Sequence, residues 1–511
     1  MHTTRRDFVR ALGASGACAS LPLSLWTSQA QDLRERLAAD PLRPQYHLLP
    51  AKNWMNDPNG PIYWKGQYHM FFQYNPNAAV WGDMHWAHAV SQDMIYCRHL
   101  PVALAPTPGW DDADGCFSGS AVDDHGTATI LYTGVKSCAP EQATLRDGVH
   151  NFREVQCLAA SADPQLLTWT KWNQPVIQPP NHTRLTGFRD PFLWCEGENW
   201  FLGVGSGLFK EGGRVLLYRS KDLRQWEYLH PLVSGKWTGK ESVNPVDSGE
   251  MWECPDFFPL GKKHVLLYST AGHLIWESGE LDAREHVFHS ERRGILDHGA
   301  YYAQKTQLDA KGNRILWGWI PETRPEAEFS AAGWAGCIAL PRLLSINSDG
   351  ALEMQVAPET QALRAKSFVL PRQHAAFSQL GHAAVDLQIA NLAGEIVWKT
   401  KSPRSAFTLE DYSGPWWSAK LEPKSTAAAT LMVNGISLEV PVGPRHEIEF
   451  HLFLDASVAE LICGRQHALT TRIYRKPDGP LRLRVSDNLL LALNSLEAWQ
   501  LRPISPDRLT T

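Results

Sequence analysis

The sequence predicts an all-β protein, a five-bladed β-propeller followed by a C-terminal β-sandwich. Two observations carry this. An acid, a proline and two strand-like runs joined by a turn recur at Asp57-Pro58, Asp190-Pro191 and Glu253-Cys254-Pro255, with the acids 133 and 63 residues apart, which fits two units and one unit of roughly 65 residues. The pattern then stops after Asn347-Ser348-Asp349-Gly350, and alternating apolar and polar runs of different spacing continue to the C-terminus.

The elements follow in chain order. Residues 1–30 read as a twin-arginine export signal: Arg5-Arg6, a weakly apolar stretch from Ala11 to Trp26, and the small-residue site Ser28-Gln29-Ala30. The apolar stretch falls short of the roughly 20 residues a membrane span needs. The expectation is a periplasmic or secreted protein, with no membrane attachment once the signal is removed. Residues 31–47 form a lead-in.

Residues 48–350 are assigned to the propeller. Each acid-proline pair opens a hairpin: Ile62 to Trp64 and Tyr68 to Phe72 around Lys65-Gly66, Phe192 to Cys195 and Trp200 to Val204 around Gly197, Phe257 to Leu260 and His264 to Tyr268 around Gly261. Phe117-Ser118-Gly119-Ser120 fills the second slot, and the fifth falls near Asp297 to Tyr302. A second recurring element pairs Ser91 with Asp93, Ser161 with Asp163 and Trp169, and Ser220 with Asp222 and Trp226. Short antiparallel strands repeated in this way form blades around a channel. Residues 351–366 read as a linker or short polar helix. Residues 367–511, with alternating runs such as Val458 to Ile462 and Leu481 to Val485, read as a sandwich.

Composition narrows the function. The 49 Lys+Arg against 54 Asp+Glu give a net charge of −5 with no basic block, so a nucleic-acid partner is excluded on electrostatic grounds. Beyond the signal, Cys97, Cys116, Cys138, Cys157, Cys195, Cys254, Cys337 and Cys463 form no Cys-x-x-Cys pair and read as mostly free, buried thiols. His85 and His88 lack a third metal ligand, which favours a structural role; no metal or organic cofactor is expected.

Residues that open the inner strands of successive blades point into one funnel, so Asp57, Asp190 and Glu253 can converge. Retaining glycosidases need a carboxylate nucleophile and a carboxylic acid that protonates the leaving oxygen, and a third acid can hold ring hydroxyls. Asp57 stands among the polar turn residues Asn56, Asn59 and Gly60, suited to an ionised nucleophile. Glu253, between Trp252 and Cys254-Pro255, reads as an acid kept protonated by apolar surroundings. Arg189 supplies a cation that favours an ionised Asp190.

These residues lie in motifs that resemble glycoside hydrolase family 32, the invertases and fructan β-fructosidases. The motifs are WMNDPNG at 54–60, FFQYNP at 71–76, WG at 81–82, FSGS at 117–120, RDP at 189–191 and WECPD at 252–256. The likeness continues through LWGWIPE at 316–322, GWAGCIALPR at 333–342, FLDASVAELI at 453–462 and ALTTRIY at 468–474, and is strongest to plant cell-wall invertases and fructan exohydrolases. The resemblance implies Asp57 as nucleophile, Glu253 as acid/base and Asp190 as transition-state stabiliser. It implies that Asn56, Gln73, Trp81, Ser118 and Arg189 grip the fructosyl unit, with Trp54 and Phe117 lining the pocket. It places Asp222 near the glucose of sucrose, where Gln225 replaces the lysine of plant relatives. The activity implied is hydrolysis of terminal nonreducing β-D-fructofuranosides, from sucrose and short fructans, by two displacements. A fructan exohydrolase acting on inulin or levan and a fructosyltransferase stay open, as do an inverting five-bladed arabinanase or xylosidase and, more distantly, a noncatalytic sugar-binding protein.

Overall fold

The computed structural model describes residues 32–181, 184–368, 384–387, 389–442, 447–486, 493–506 and 509. The export signal expected over 1–30 lies outside them. After a helix at 32–39, four-stranded sheets succeed one another. The first holds Asn53–Trp64, Gln67–Asn75, His85–Ser91 and Cys97–Leu104 (β1 to β4), the second Gly115–Asp124, Thr127–Ser137, Phe152–Ser161 and Thr170–Lys171 (β5 to β8). The third holds Leu185–Glu196, Asn199–Leu208, Gly212–Ser220 and Glu227–Ser234 (β9 to β12), the fourth Glu253–Leu260, Lys263–Thr270, His273–Leu281 and Phe288–Asp297 (β13 to β16). The fifth begins with Tyr302–Leu308 and Arg314–Ile320 (β17, β18). Two short strands follow, Trp334–Ala335 (β19) and Cys337–Ile338 (β20), and the sheet ends with Arg342–Ile346 and Leu352–Val356 (β21, β22).

The local chemistry explains the hairpins. Lys65-Gly66 and Ala271-Gly272 are two-residue turns in which both residues have positive φ, the geometry that matches strand twist. Neighbouring blades pack through apolar layers: Phe71 and Trp86 meet Tyr132, Leu131 and Leu158 meet Leu202, and Phe201 meets Phe257. The first strands β1, β5, β9, β13 and β17 contact one another in cyclic order, and β17 contacts β1. The ring is latched by β19, which pairs parallel with β1 at Asn53-Trp334 and Trp54-Ala335.

One boundary differs from the sequence reading. Leu352–Val356, expected to be linker, is the outer strand of the fifth blade, paired with β21 from Ile346-Leu352 to Arg342-Val356. The physical reason is the turn between them, where Asn347 accepts the Asp349 and Ala351 N–H groups and Gly350 has φ 79°. The propeller therefore runs to 356. A 3-10 turn, Pro358–Leu363, connects it to Arg364–Phe368, the first strand of the second unit.

That unit is two sheets face to face. One orders Ala384–Leu387, Leu481–Val485, Ser405–Asp411, Gly414–Pro423, Ala428–Val433 and Ile436–Pro441; the other orders His467–Arg472, Val458–Cys463, Ile448–Asp455, Ala393–Thr400, Leu493–Leu501 and Arg364–Phe368. Trp398, stacked on Phe407 at 3.9 Å and on Phe450 at 4.8 Å, fills the space between them. The second sheet continues into the fourth blade through the parallel bridge Asp297-Ala468. The eight cysteines among the described residues are free thiols, five of them buried and Cys195 exposed.

Candidate active site

Every inner strand breaks register at the same level: between Met55 and Pro58, Phe117 and Gly119, Arg189 and Phe192, Glu253 and Asp256, and Tyr302 and Lys305. A bulge re-aims side chains and frees backbone groups from the ladder. Here it turns Asn56, Asp57, Ser118, Asp190 and Cys254 toward the channel. Asp190, Cys254 and Ala303 hold φ of 65°, 47° and 52°, uncommon for non-glycine residues. The released N–H groups find new partners: Asp190 N donates to Thr133 Oγ1 (2.9 Å), Cys254 N to Asp190 Oδ2 (2.9 Å), and Ala303 N to Ser269 Oγ (3.0 Å). Pro191 and Pro255 fit the bulges because they have no N–H to lose. Aligned on these prolines, Glu253 occupies the place of Arg189, one residue before the left-handed position of Asp190 and Cys254.

The bulges surround a cavity of about 220 Å³ lined by Asn56, Asp57, Gln73, Trp81, Phe117, Ser118, Arg189, Asp190 and Glu253. Nine of the eleven site residues expected from sequence are thus brought together. Its volume lies below the roughly 300–1,000 Å³ of pockets for drug-sized ligands, so the closed end suits about one sugar ring. Asp57 accepts from Asn56 Nδ2 (3.0 Å) and Ser118 Oγ (2.6 Å). Burial, and then Asp190 nearby, push its carboxyl up to about 6 against these two donors. The polar surroundings expected from sequence are present and are outweighed by desolvation. Asp190 is likewise raised by burial, although Arg189, 3.9 Å away, opposes the shift. The Cys254 thiol, pushed well up by burial, lies 3.4 Å from Asp57 Oδ2 and 3.6 Å from Asp190 Oδ2.

Glu253 corrects the sequence reading. Its surroundings are polar: Oε1 accepts from Arg189 Nη2 (2.7 Å) and Nε (3.3 Å), and Oε2 from Tyr302 Oη (2.8 Å). Trp252 points the other way, stacked on Tyr268 at 3.9 Å in the core between blades three and four. Strand alternation puts consecutive residues on opposite faces, so an apolar neighbour in sequence is no apolar neighbour in space.

Two expected residues lie outside the cavity. Trp54 stands behind it, donating Nε1–H to Asn56 Oδ1 (2.8 Å) and packing on Trp319 and Phe329. Asp222 sits at the far end of β11, where Oδ1 accepts from the Arg224 and Gln225 N–H groups and Ser220 Oγ. It closes the same turn as Asp93 and Asp163 in blades one and two, so the recurring Ser-Asp element is architectural and Gln225 replaces no sugar-binding lysine here. Gln73 lines the floor, but its Nε2 donates to Cys116 O (2.9 Å) and ties blade one to blade two.

The sequence reading missed Glu154. Fully buried, it accepts from Arg189 Nη1 (3.0 Å) and Phe188 N (2.7 Å), so one guanidinium is fixed between Glu154 and Glu253. Tyr302, Asp147, Asn244 and Trp319 were missed as well. Tyr302 was findable from the repeat, since it opens the fifth inner strand.

Residues 47–356 match the glycosyl hydrolases family 32 N-terminal domain. The chain belongs to glycoside hydrolase family 32. The match ends at Val356, where the fifth blade ends. Similar to this family 32 chain is the sucrose-6-phosphate hydrolase of Escherichia coli, 38% identical over 344 residues, 63% of this chain and 66% of that protein. The raffinose invertase of Escherichia coli is 38% identical over 360 residues, 66% of this chain and 70% of its own length. The matched stretch thus spans about two thirds of these bacterial relatives. Among solved structures, the Bombyx mori family 32 β-fructofuranosidase is 30% identical with a TM-score of 0.74, covering 94% of this chain and 99% of that one. Fructan 1-exohydrolase IIa from Cichorium intybus is 26% identical with a TM-score of 0.75, covering 91% and 98%.

Proposed function

We propose that this chain is a retaining β-fructofuranosidase that removes the terminal nonreducing fructosyl unit from sucrose and short fructans. The observation that carries the proposal is the convergence of Asp57, Asp190 and Glu253, from blades one, three and four, on one cavity of single-ring size. Relatives named raffinose invertase and sucrose-6-phosphate hydrolase, and similar structures described as bound to sucrose and to 1-kestose, support the substrate class.

Asp57 is the nucleophile. Asn56 and Ser118 orient its carboxylate, which attacks the fructosyl C2 as the bond to the leaving oxygen breaks. Glu253, with 23% of its side chain exposed against 4% for Asp190, gives that oxygen its proton. The same carboxylate then takes a proton from water, whose oxygen attacks C2 and releases fructose and Asp57. Asp190, held by the Cys254 N–H, accepts hydrogen bonds from ring hydroxyls as the oxocarbenium-like state develops. Export through the N-terminal thirty residues is part of the proposal and rests on their sequence alone.

The test is fructose release from sucrose, 1-kestose, inulin and levan by the purified protein, with Asp57→Ala as blank. Release from sucrose at a rate comparable to or above that from fructans is expected. Activity on inulin or levan with little on sucrose moves the assignment to a fructan exohydrolase, the reading favoured by the likeness to the chicory enzyme; no release from any of them refutes it.

A further inference from the structure

Relatives at the same level of identity carry names that include a phosphorylated sugar, and the cavity's charges bear on which kind of sugar this chain takes. A phosphate group is held by arginine, by lysine or by backbone N–H groups at a helix start. Among the described residues, the cavity wall carries four carboxylates, Asp57, Asp147, Asp190 and Glu253, and one cation. That cation, Arg189, is already committed, bonded to Glu154 at 3.0 Å and to Glu253 at 2.7 Å. Past Trp81 and Phe117 a second cavity of about 550 Å³ opens, and among the described residues its charged lining is again acidic, with Asp83 and Asp114 and no lysine or arginine. The histidines there are engaged: His150 Nδ1 with Asp147 Oδ2 at 2.7 Å, His85 Nδ1 with Asp83 O at 2.5 Å. Arg146, beside Asp147 in the chain, is exposed and lines neither cavity.

We infer that this site selects uncharged fructosides and rejects phosphorylated ones, so that sucrose is a substrate and sucrose 6-phosphate is not. The inference rests on the fructofuranosidase reading and narrows it. Like charges brought together in a low-dielectric pocket are costly, so wherever the phosphate lies along the two cavities it meets carboxylates without a free cation. Asp147 determines this specificity at the mouth. Its Oδ1 accepts the Val149 and His150 N–H groups, which keeps the carboxylate in place; burial would raise its pKa, but the His150 side chain and these N–H groups hold it below the usual carboxylate range.

The experiment compares kcat/KM of the full chain on sucrose and on sucrose 6-phosphate near neutral pH. A preference for sucrose of roughly 100-fold or more is expected, and it should shrink as salt rises. Asp147→Asn keeps the Oδ1 acceptor and removes the charge; it should narrow the ratio by about three- to tenfold, and Asp147→Lys more, through a lower KM for the phosphorylated sugar. Equal or faster turnover of sucrose 6-phosphate overturns the inference while leaving the fructofuranosidase reading in place. A ratio insensitive to both Asp147 variants overturns the role of Asp147. Failure to hydrolyse either sugar overturns the underlying reading and this inference with it.

Discussion

The pKa of Asp57 is pushed up to about 6 because burial and Asp190 outweigh two hydrogen-bond donors. A nucleophile must be ionised, so kcat/KM should fall as pH drops through about 6. Ser118→Ala removes a donor that favours the carboxylate, and the acid limb should then move toward neutrality; a limb that stays in place under this substitution contradicts the assignment. Glu154 acts one step back, through Arg189. Glu154→Gln should reduce kcat/KM by roughly 10- to 100-fold, with most of the loss in kcat, because the guanidinium that orients Glu253 loses its anchor. Asp57, Asp190 and Glu253 were legible in the sequence because each sits in a short motif beside a proline. Glu154 was not, because nothing local to Phe152-Arg153-Glu154-Val155 marks it; its role arises only when β7 comes to lie beside β9.

At the scale of elements, the site depends on where the inner strands depart from ladder geometry. Sequence alternation revealed the hairpins, and the prolines at 58, 191 and 255 marked three of the five bulges. The bulges at Ser118 and Ala303 carry no proline and left no such mark. The same one-residue shifts explain the misreading of Glu253, whose neighbours in space are set by which face of β13 it occupies. The blades also sit close: a Cβ on Gly207 of β10 would lie 1.7 Å from the Glu250 carbonyl oxygen, in the loop leading to Glu253. Gly207→Ala should therefore destabilise the fold by about 1–3 kcal/mol, the usual scale of overpacking, and lower the Tm seen by calorimetry. An unchanged Tm contradicts this packing.

At the scale of the whole molecule, a buried ionic network fastens lead-in, propeller and sandwich. Asp455, in the FLDASVAELI run, accepts the backbone N–H groups of Gln45, Tyr46 and His47, and His47 bridges Asp455 and Glu460, each at 2.8 Å. Glu460 in turn holds Arg342 of the fifth blade (2.6 Å), which reaches Asp297 of the fourth (3.0 Å). The sequence showed Asp455 and Glu460 as part of a family motif without showing what they bind, because the partners lie more than a hundred residues away. Removing one member leaves a buried charge unpaired, so Glu460→Ala should cost about 3–5 kcal/mol in urea unfolding. Burial alone would lower the pKa of His47, but Asp455 and Glu460 raise it to about 9. A raised value means that its contribution is full below the ordinary pKa of about 6.5 and is lost as pH climbs through about 9. The wild type should lose about 3 kcal/mol across that window, and His47→Gln should flatten the slope.

The central claim is that Asp57 forms a covalent bond to the fructosyl C2. Rapid quenching of the enzyme during turnover of sucrose, followed by proteolysis and mass spectrometry, tests it most directly. One anhydrofructosyl unit should appear on the peptide that contains Asp57 and be absent from Asp57→Ala. A label on Asp190 or Glu253, or fructose released with inverted anomeric configuration and no labelled peptide, would contradict the mechanism.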